Sequence, residues 1–394
     1  MSRLSRRTFL RDAAAAGAAL ALGGWTAPLH RQSLPAWPAE RVVHIHHPAA
    51  TYWDYSTGWY GDYVSQAVVN AMTDRGVMAL TETGTTAAAW QALLPAYSTG
   101  QQVAIKINLN NAGGCGESGQ VIDALPQPVN AIVRGLKLIG AAESDIRVYD
   151  VTNGWHEGQM PQRLIDKVHA LYPGVEFHAY ASECSHGSGY SATERIHFNV
   201  PAGMPAISDR PICNALAGAD YLINLPIMKK HGMAGVTLGF KNHFGSFEHC
   251  NYVHWSVDLG DPSYVPTYNG LIDIYANAHF AGKTVLTVGD GLYGARVDNW
   301  QEIPSPWPTW GNQSPNSLFF SADPVAIDCV MYDFLEWEGG VPEGSDDYLQ
   351  LAHAAGFGTF EHWDAGHQYS LIDYQRIELG LQPRVHLPLI RGGW

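Results

Sequence analysis

The sequence predicts an α/β fold with two lobes, built from mostly parallel sheets covered by helices. Its 394 residues are 46% hydrophobic and 15% charged, which is enough apolar material for a large buried core. Short runs rich in β-branched residues alternate with longer stretches in which apolar residues recur at helical spacing. This alternation is typical of parallel strands joined by helical crossovers.

The expected elements follow one another from residue 42 onwards. We expect strands in the short β-branched and aromatic runs, and helices where apolar residues recur every three or four positions. The region 298–316 is rich in Pro and Trp and lacks periodicity, so we expect a long loop there. Strands are predicted at 42–46, 102–109, 146–151, 175–180, 221–225, 284–288 and 317–320, and helices at 63–78, 128–139, 162–171, 270–281 and 324–337.

The N-terminus predicts an export signal. Arg6 and Arg7 lie in the motif Ser-Arg-Arg-Thr-Phe-Leu-Arg, and an apolar run follows at 13–22. This order matches a twin-arginine signal, and about ten apolar residues are too few to span a bilayer unless the signal stays uncleaved. The expected domains are therefore a signal peptide and linker at 1–40, an N-terminal α/β lobe at 41–219 and a C-terminal α/β lobe at 220–394.

The signal and the net charge together limit the partners. We expect the twin-arginine translocase to bind the chain during export, and the mature protein to be periplasmic or secreted, with no membrane span. That route carries folded proteins, commonly with a cofactor already inserted, so a bound cofactor is expected. A formal charge of −14 without basic runs argues against nucleic acid and anionic membrane surfaces as partners.

The five cysteines show no C-x-x-C pair, which argues against an iron–sulfur cluster or a zinc site held by local cysteine spacing. An oxidising compartment permits disulfides, yet an odd count leaves at least one thiol unpaired. The pairing stays open. Cys213 and Cys329 are expected to be small buried residues, because both lie in apolar patterns.

The segment 224–245 concentrates the polar chemistry of the chain. It holds three of the seven lysines, Lys229, Lys230 and Lys241, among glycines and apolar residues. It follows a predicted strand, and ligands of open α/β sheets bind beyond the carboxyl ends of strands. We therefore expect a site for a small anionic substrate, in which the glycines let the backbone approach a ligand closely.

Lys241 and His231 are the expected catalytic pair. A lysine in apolar surroundings has a lowered pKa and becomes a base or nucleophile, and a histidine exchanges protons near neutral pH. Such a pair suits abstraction of a proton next to a carbonyl or carboxylate, as in an isomerase or epimerase. Lys229 and Lys230 could instead hold an anion or a cofactor phosphate as point charges.

Further polar residues are expected to join this site. Lys106 and Asn108 share one face of a predicted strand, and Lys106 is a third catalytic candidate. Buried polar groups of this kind need either a ligand or an internal hydrogen-bond network. Asp323 is expected to cap the helix that follows it, whereas Asp328 could be catalytic or anchor a loop. Cofactor-binding candidates are Lys241, Lys230, Asn242, Asn108, Asn224 and Asp290, the last at a predicted strand end.

A metal site is the competing use of the same region. His243, His249 and His254 fall within twelve residues, and imidazole ligands suit nickel or zinc. A metal-dependent hydrolase using His243, His254 and Asp290 is therefore one alternative to the isomerase. A periplasmic protein that binds a ligand or metal without turnover is another.

Several motifs resemble the domain-of-unknown-function family numbered 362: the strand-end run 106–110, Asn-Leu-Pro at 224–226, Lys-Asn-His-Phe-Gly at 241–245 and Asp-Pro-Val-Ala-Ile-Asp at 323–328. Some relatives carry ferredoxin-like cysteine motifs, and their absence here removes the implied iron–sulfur cluster. The spacing of His231, Ala234-Gly235 and Lys241 is also similar to the site segment of nickel-pincer lactate racemases. This second resemblance implies that His231 transfers a proton, that Lys241 anchors a nickel-bearing pyridinium nucleotide, and that His254 or His249 binds the metal.

Overall fold

The computed structural model describes residues 37–380 apart from 113, 117–118, 153–159 and 297–301. The twin-arginine motif lies outside the described residues. No helix among those that the structure describes is both long and apolar enough to cross a bilayer.

A mixed, mostly parallel sheet of eleven strands forms the centre of the described structure. Its main path runs β13-β1-β12-β11-β8-β2-β3-β4-β5, while β9 pairs with β11, and β10 pairs with β9. Only β12 and the β9–β10 hairpin introduce antiparallel pairs into this sheet. The strands are β1 (Arg41–His46), β2 (Val103–Lys106), β3 (Ile146–Asp150), β4 (Glu176–Ala179), β5 (His186–Gly187), β6 (Tyr190–Ile196), β7 (Arg210–Cys213), β8 (Tyr221–Asn224), β9 (Ile227–His231), β10 (Gly235–Thr237), β11 (Thr284–Ala295), β12 (Ser317–Ser321) and β13 (Asp373–Glu378), of which β6 and β7 form a separate pair.

Helices pack on both faces of the sheet, which confirms the predicted α/β class. They are α1 (Gln66–Thr81), α2 (Thr86–Leu93), α3 (Pro126–Leu138), α4 (Gln162–His169), α5 (Asn214–Ala217), α6 (Gly239–Asn242), α7 (Gly270–Ala276), α8 (Pro324–Gly339) and α9 (Asp347–Ala354). The Asp323 carboxylate accepts hydrogen bonds from the backbone N–H groups of Val325 and Ala326, so it caps α8 as predicted.

Two apolar cores lie on opposite faces of this one sheet. Val103 and Ile105 of β2 pack into the core that contains α1 to α4, while Ala104 between them packs into the core that contains α5 to α9. The helices of the first part of the chain thus cover one face, and the later helices cover the other. The strands of both predicted lobes join in a single sheet, since β8 pairs with β2. The division at residue 219 stays a prediction.

Strand β11 is longer than the predicted strand 284–288. The run Gly289-Asp290-Gly291 lies beyond the predicted end, but it continues the strand. A Cβ on Gly289 would lie 2.4 Å from Met331 Sδ, and one on Gly291 would lie 3.1 Å from Met228 Cε. Because these two glycines have no side chain, Met331 and Met228 can pack closely against the middle of the strand. Asp290 consequently lies inside the strand, and its prediction as a strand-end residue is wrong.

Cys115 and Cys184 form a disulfide, with their Cα atoms 5.7 Å apart. The thiols of Cys213, Cys250 and Cys329 are unpaired and buried. The expectation of buried thiols at Cys213 and Cys329 is confirmed.

Candidate active site

The carboxyl ends of three neighbouring parallel strands place polar side chains side by side. Lys106 at the end of β2 lies in register with Asn224 at the end of β8, and Asp150 ends the adjacent strand β3. All three side chains are buried. Buried polar groups must be hydrogen-bonded to avoid a desolvation cost, so these ends require partners.

Asn242, on α6, supplies the link between them. Lys106 Nζ donates to Asp150 Oδ2 at 3.0 Å and to Asn242 Oδ1 at 3.4 Å. The Asn242 amide donates to Asn224 Oδ1 at 2.8 Å, and Asn108 donates to Asn242 Oδ1 at 3.1 Å. The segment 224–245 therefore meets the 106–110 strand end, as predicted.

This network holds α6 on the end of the sheet. Burial lowers the pKa of Lys106, while the Asp150 carboxylate opposes that shift. Of the two uses expected for these buried groups, the internal network is the one the structure contains. Catalysis by Lys106, and cofactor binding by Asn108, Asn224 and Asn242, stay predictions.

Asp328 fixes α6 from the other side. Its Oδ1 accepts from the Gly239 N–H at 2.7 Å, and its Oδ2 accepts from the Phe240 N–H at 3.1 Å and the Tyr348 hydroxyl at 3.0 Å. Burial raises the pKa of Asp328 to about 7, against these hydrogen bonds. Of the two roles left open for Asp328, anchoring is the one that the geometry supports.

The glycines of the segment make room for protein side chains. A Cβ on Gly239 would lie 2.7 Å from Asp328 Oδ1, and one on Gly245 would collide with the Asp150 carboxylate. Gly235 has a φ of +74°, and its Cβ would collide with Ser345. The expectation that these three glycines serve close approach to a ligand is corrected: each allows backbone to pack against a polar side chain.

Lys241 lies one position before Asn242 and faces a different environment. Its side chain is buried, and Nζ lies 4.1 Å from the centre of the Phe244 ring. Burial lowers the pKa of Lys241 to about 8, and the charge of Lys229 adds to that shift. The face of an aromatic ring favours the ammonium, but the cost of desolvation is larger here. At neutral pH roughly a tenth of the amine is uncharged.

Lys241 lines a small pocket between β10, α7 and the start of α9. One part of the wall is apolar, and the rest carries hydroxyl and amide groups. Tyr264 and Tyr348 are held by hydrogen bonds to Asp347 and Asp328. The lining residues besides Lys241 are Ala234, Val236, Val257, Leu259, Leu271, Gly344, Tyr264, Asn269, Ser345 and Tyr348.

His231 ends β9 and has a defined tautomer. Its Nδ1 accepts from the backbone N–H groups of Met233 at 3.1 Å and Ala234 at 3.2 Å. Burial lowers the pKa of His231 well below its usual range, and the charges of Lys241 and Lys229 add to this. The neutral ring therefore carries its proton on Nε2, which makes that nitrogen a donor.

The other two lysines of the segment have protein partners. Lys229 is fully buried, and its Nζ donates to Glu302 Oε2 at 2.6 Å. This pairing corrects the expectation that Lys229 could hold an anion. Lys230 is partly exposed and donates to the Gly339 carbonyl at 3.3 Å. Its role in cofactor binding stays a prediction.

Asp290 is a buried carboxyl group in the middle of β11. It accepts a hydrogen bond from the Leu292 N–H at 2.9 Å, and burial raises its pKa to about 7. The Asp290 side chain does not line the Lys241 pocket.

The three predicted metal-binding histidines have separate surroundings. His243 packs edge-on against Phe280, His254 packs edge-on against Phe244, and His249 is about half exposed. In the part of the chain that the structure describes, no group of three or more His, Cys, Asp or Glu side chains could hold a metal ion. Metal binding by any one of these three histidines stays a prediction. Burial lowers the pKa of both His243 and His254 to about 3, so both rings are neutral.

Sequence reasoning missed three participants. Glu302, which neutralises Lys229, lies in the expected Pro- and Trp-rich loop, and no pattern connects the two positions. Tyr264 and Ser345 reach the pocket from distant loops. Only the buried placement of Lys229 in an apolar strand could have signalled that a carboxylate partner was required.

Comparisons with known proteins give a family and a distant structural likeness. No curated protein matches the chain. Among solved structures, the chain is similar to the lactate racemase apoprotein from Thermoanaerobacterium thermosaccharolyticum, with 13% identity and a TM-score of 0.37 over 77% of this chain and 60% of that one. The chain thus spans less than two thirds of that protein. The family model described as Domain of unknown function (DUF362) matches residues 103–333, more than half of the chain, and the protein therefore belongs to the DUF362 family.

Proposed function

We propose that this protein is an enzyme that moves a proton on a small oxyanionic substrate, in the manner of an isomerase or epimerase, with Lys241 as the base. The observation that carries the proposal is the position of Lys241: a buried amine that lines a pocket and has a pKa of about 8. An amine with this pKa can accept a proton near neutral pH and return it.

His231 is not among the residues that line the Lys241 pocket, but the charge of Lys241 lowers its pKa, and we propose it as the second participant. With Nδ1 occupied by two backbone N–H groups, Nε2–H can donate a hydrogen bond to an oxygen on which negative charge develops. This refines the role expected from the sequence. In this tautomer His231 stabilises charge or supplies a proton, while Lys241 removes one.

The nickel nucleotide implied by the second resemblance does not fit these residues. The pocket at Lys241 is far smaller than the roughly 300–1,000 Å³ of pockets for drug-sized ligands. We route no step through that cofactor, and binding of nickel or zinc by His243, His249 or His254 stays a prediction.

We also propose that the protein is exported by the twin-arginine route. The Cys115–Cys184 disulfide supports this, because structural disulfides persist mainly in oxidising compartments. Cell fractionation of a tagged full-length chain tests the proposal. We expect periplasmic or secreted protein, and cytoplasmic retention when Arg6 and Arg7 are both replaced by Lys.

Proton exchange tests the proposed chemistry before the full reaction is known. The folded protein is incubated in D2O with a panel of 2-hydroxy and 2-oxo acids, and loss of the C–H signal next to the carboxylate or carbonyl is followed by proton NMR. We expect exchange with the unchanged protein and at least a hundredfold less with Lys241→Met, since removing a general base costs roughly 10²–10⁴-fold.

Lys137→Met is the matched control, because Lys137 is a surface lysine paired with Glu143. It should exchange at the unchanged rate. Absence of exchange with every acid, or equal exchange in Lys241→Met, would contradict the proposal.

A further inference from the structure

Lys241 differs from every other lysine of the chain in what its amine contacts. All seven lysines lie in the described part of the structure, and six of them donate to or pair with an oxygen: Lys106 with Asp150, Lys137 with Glu143, Lys167 with Asp62, Lys229 with Glu302, Lys230 with the Gly339 carbonyl, and Lys283 with the Leu216 and Ala217 carbonyls. The Lys241 amine instead lies over the Phe244 ring and lines the pocket. Among the described residues, no oxygen accepts a hydrogen bond from it.

A buried lysine without an oxygen partner is costly to the fold. Burying an amine without a hydrogen bond costs free energy, and proteins avoid it unless the group has a use. The neighbouring residue Asn242 shows that this short helix can satisfy a buried polar side chain fully. The amine of Lys241 therefore lacks a hydrogen-bond partner at the point where it lines the pocket.

The geometry points to Lys241 as a nucleophile that forms an imine with a small aldehyde or ketone held in this pocket. This deepens the proposed function and rests on it, since it names the substrate as a carbonyl compound. The carbon next to a protonated imine loses a proton more readily than the carbon next to the free carbonyl. An imine at Lys241 would thus prepare the proton transfer. The imine nitrogen has no lone pair to accept the proton, so in this case Lys241 activates the carbon, and the water released when the imine forms accepts the proton.

The step needs no further reactant. The lone pair of the neutral amine attacks the carbonyl carbon, and the carbonyl electron pair moves to oxygen. The resulting carbinolamine then loses that oxygen as water, and the C=N bond forms. Both hydrogens of the water come from the original amine. Water reverses both steps and releases the product.

The surroundings of the amine suit this step. Val236, Val257 and Leu271 form apolar walls, which disfavour the ammonium and so favour the nucleophilic amine. Asn269 also lines the pocket, and its amide N–H groups can donate to the substrate oxygen. The Tyr264 and Ser345 hydroxyls line the pocket too, but they donate to Asp347 and to the Pro342 carbonyl.

Reductive trapping tests the inference. The folded protein is incubated with pyruvate or glycolaldehyde and sodium cyanoborohydride, and then analysed by intact mass and peptide mapping. We expect one reduced adduct per chain, located on Lys241. The adduct should persist in Lys137→Met and be absent from Lys241→Met and Lys241→Arg, whose folding is checked by thermal unfolding.

Two results would overturn the inference: no adduct on Lys241 in folded protein with either probe, or adducts spread over the exposed lysines at similar levels. The proton-exchange experiment separates this inference from the proposed function. Exchange that depends on Lys241 without an adduct would leave Lys241 as a simple base and remove the imine. An adduct without exchange would keep the nucleophile and remove the proposed proton transfer.

Discussion

The carboxylate of Asp328 lies 2.7 Å from the backbone nitrogen of Gly239 and accepts its hydrogen bond across 89 positions of sequence. A second hydrogen bond, from the Phe240 N–H, holds the same turn. Lys241 is the next residue along the chain. The position of the proposed base is therefore set by a carboxylate that does not itself line the pocket.

We expect Asp328→Ala to lower the free energy of unfolding by about 2–3 kcal/mol, because two backbone N–H groups and the Tyr348 hydroxyl lose a buried acceptor. Urea unfolding measures this change. Proton exchange should also fall, since the turn that carries Lys241 is released. Asp166→Asn is the control: Asp166 is exposed, and its replacement should stay within about 0.5 kcal/mol of the unchanged protein.

Lys241→Met should stabilise the fold at neutral pH. Because the pKa of Lys241 falls from 10.5 to about 8 on folding, the ammonium disfavours the folded state, by on the order of 3 kcal/mol below pH 8. This penalty shrinks as the pH rises from 8 to 10.5 and is absent above that. Unfolding of Lys241→Met and the unchanged protein at pH 7 and pH 10 tests the sign. A variant that is less stable at pH 7 would show that Lys241 has a structural role.

Replacing Lys106, which forms a buried ion pair with Asp150, should destabilise the fold, in contrast to Lys241→Met. Lys106→Met leaves the Asp150 carboxylate buried without its cation, which we expect to cost about 3–5 kcal/mol. The double variant Lys106→Met/Asp150→Asn removes the charge and should recover part of this loss. Chemical denaturation of the two single variants and the double variant gives the coupling energy. A coupling near zero would mean that the pair does not stabilise this edge of the sheet.

A partly buried ion cluster around His362 predicts a pH dependence away from the pocket. His362 Nδ1 lies 2.6 Å from Asp333 Oδ1, and Nε2 lies 3.3 Å from Asp346 Oδ2. Burial alone would lower the pKa of His362, but these two carboxylates raise it to about 9. The protonated ring thus joins α8 to the start of α9.

Because the folded pKa of His362 exceeds its ordinary value of 6.5, its contribution is complete below pH 6.5 and is lost as the pH rises through 9. The loss should be on the order of 2–3 kcal/mol. Thermal unfolding between pH 6 and pH 10 should therefore show a fall in stability that is reduced in His362→Gln. His197→Gln is the control, since that ring is mostly exposed. Equal pH profiles for His362→Gln and the unchanged protein would refute the role of this cluster.

The sequence predicted the strands at the centre of the sheet because they are short runs rich in β-branched and aromatic residues. The run 146–151 is one example, and β3 confirms it. The meeting of the Lys106 and Asn224 strand ends was also predictable, since parallel strands end at the same edge. These features follow from local pattern and general topology.

Contacts between residues that are far apart in the sequence could not be predicted in this way. Glu302 meets Lys229 across 73 positions, and Ser345 packs against Gly235 across 110 positions. Glycines at 235, 239 and 245 looked alike in sequence, yet each makes room for a different side chain. The run 289–291 lies beyond the end of the predicted strand, yet its pairing with β12 and its packing against Met331 and Met228 keep it extended.

The pairing of β1 with β12 and β13 sets the order in which the protein can assemble. His46 lies in register with Glu378, and their side chains are 332 positions apart. At ordinary synthesis rates of about 5–20 residues per second, roughly 20–60 seconds pass between the making of these two strands. For most of that time, until β12 is made, β1 has neither of its partner strands. Completion of the sheet must therefore wait until almost the whole chain has left the ribosome, and protection of β1 during this interval becomes a requirement for folding.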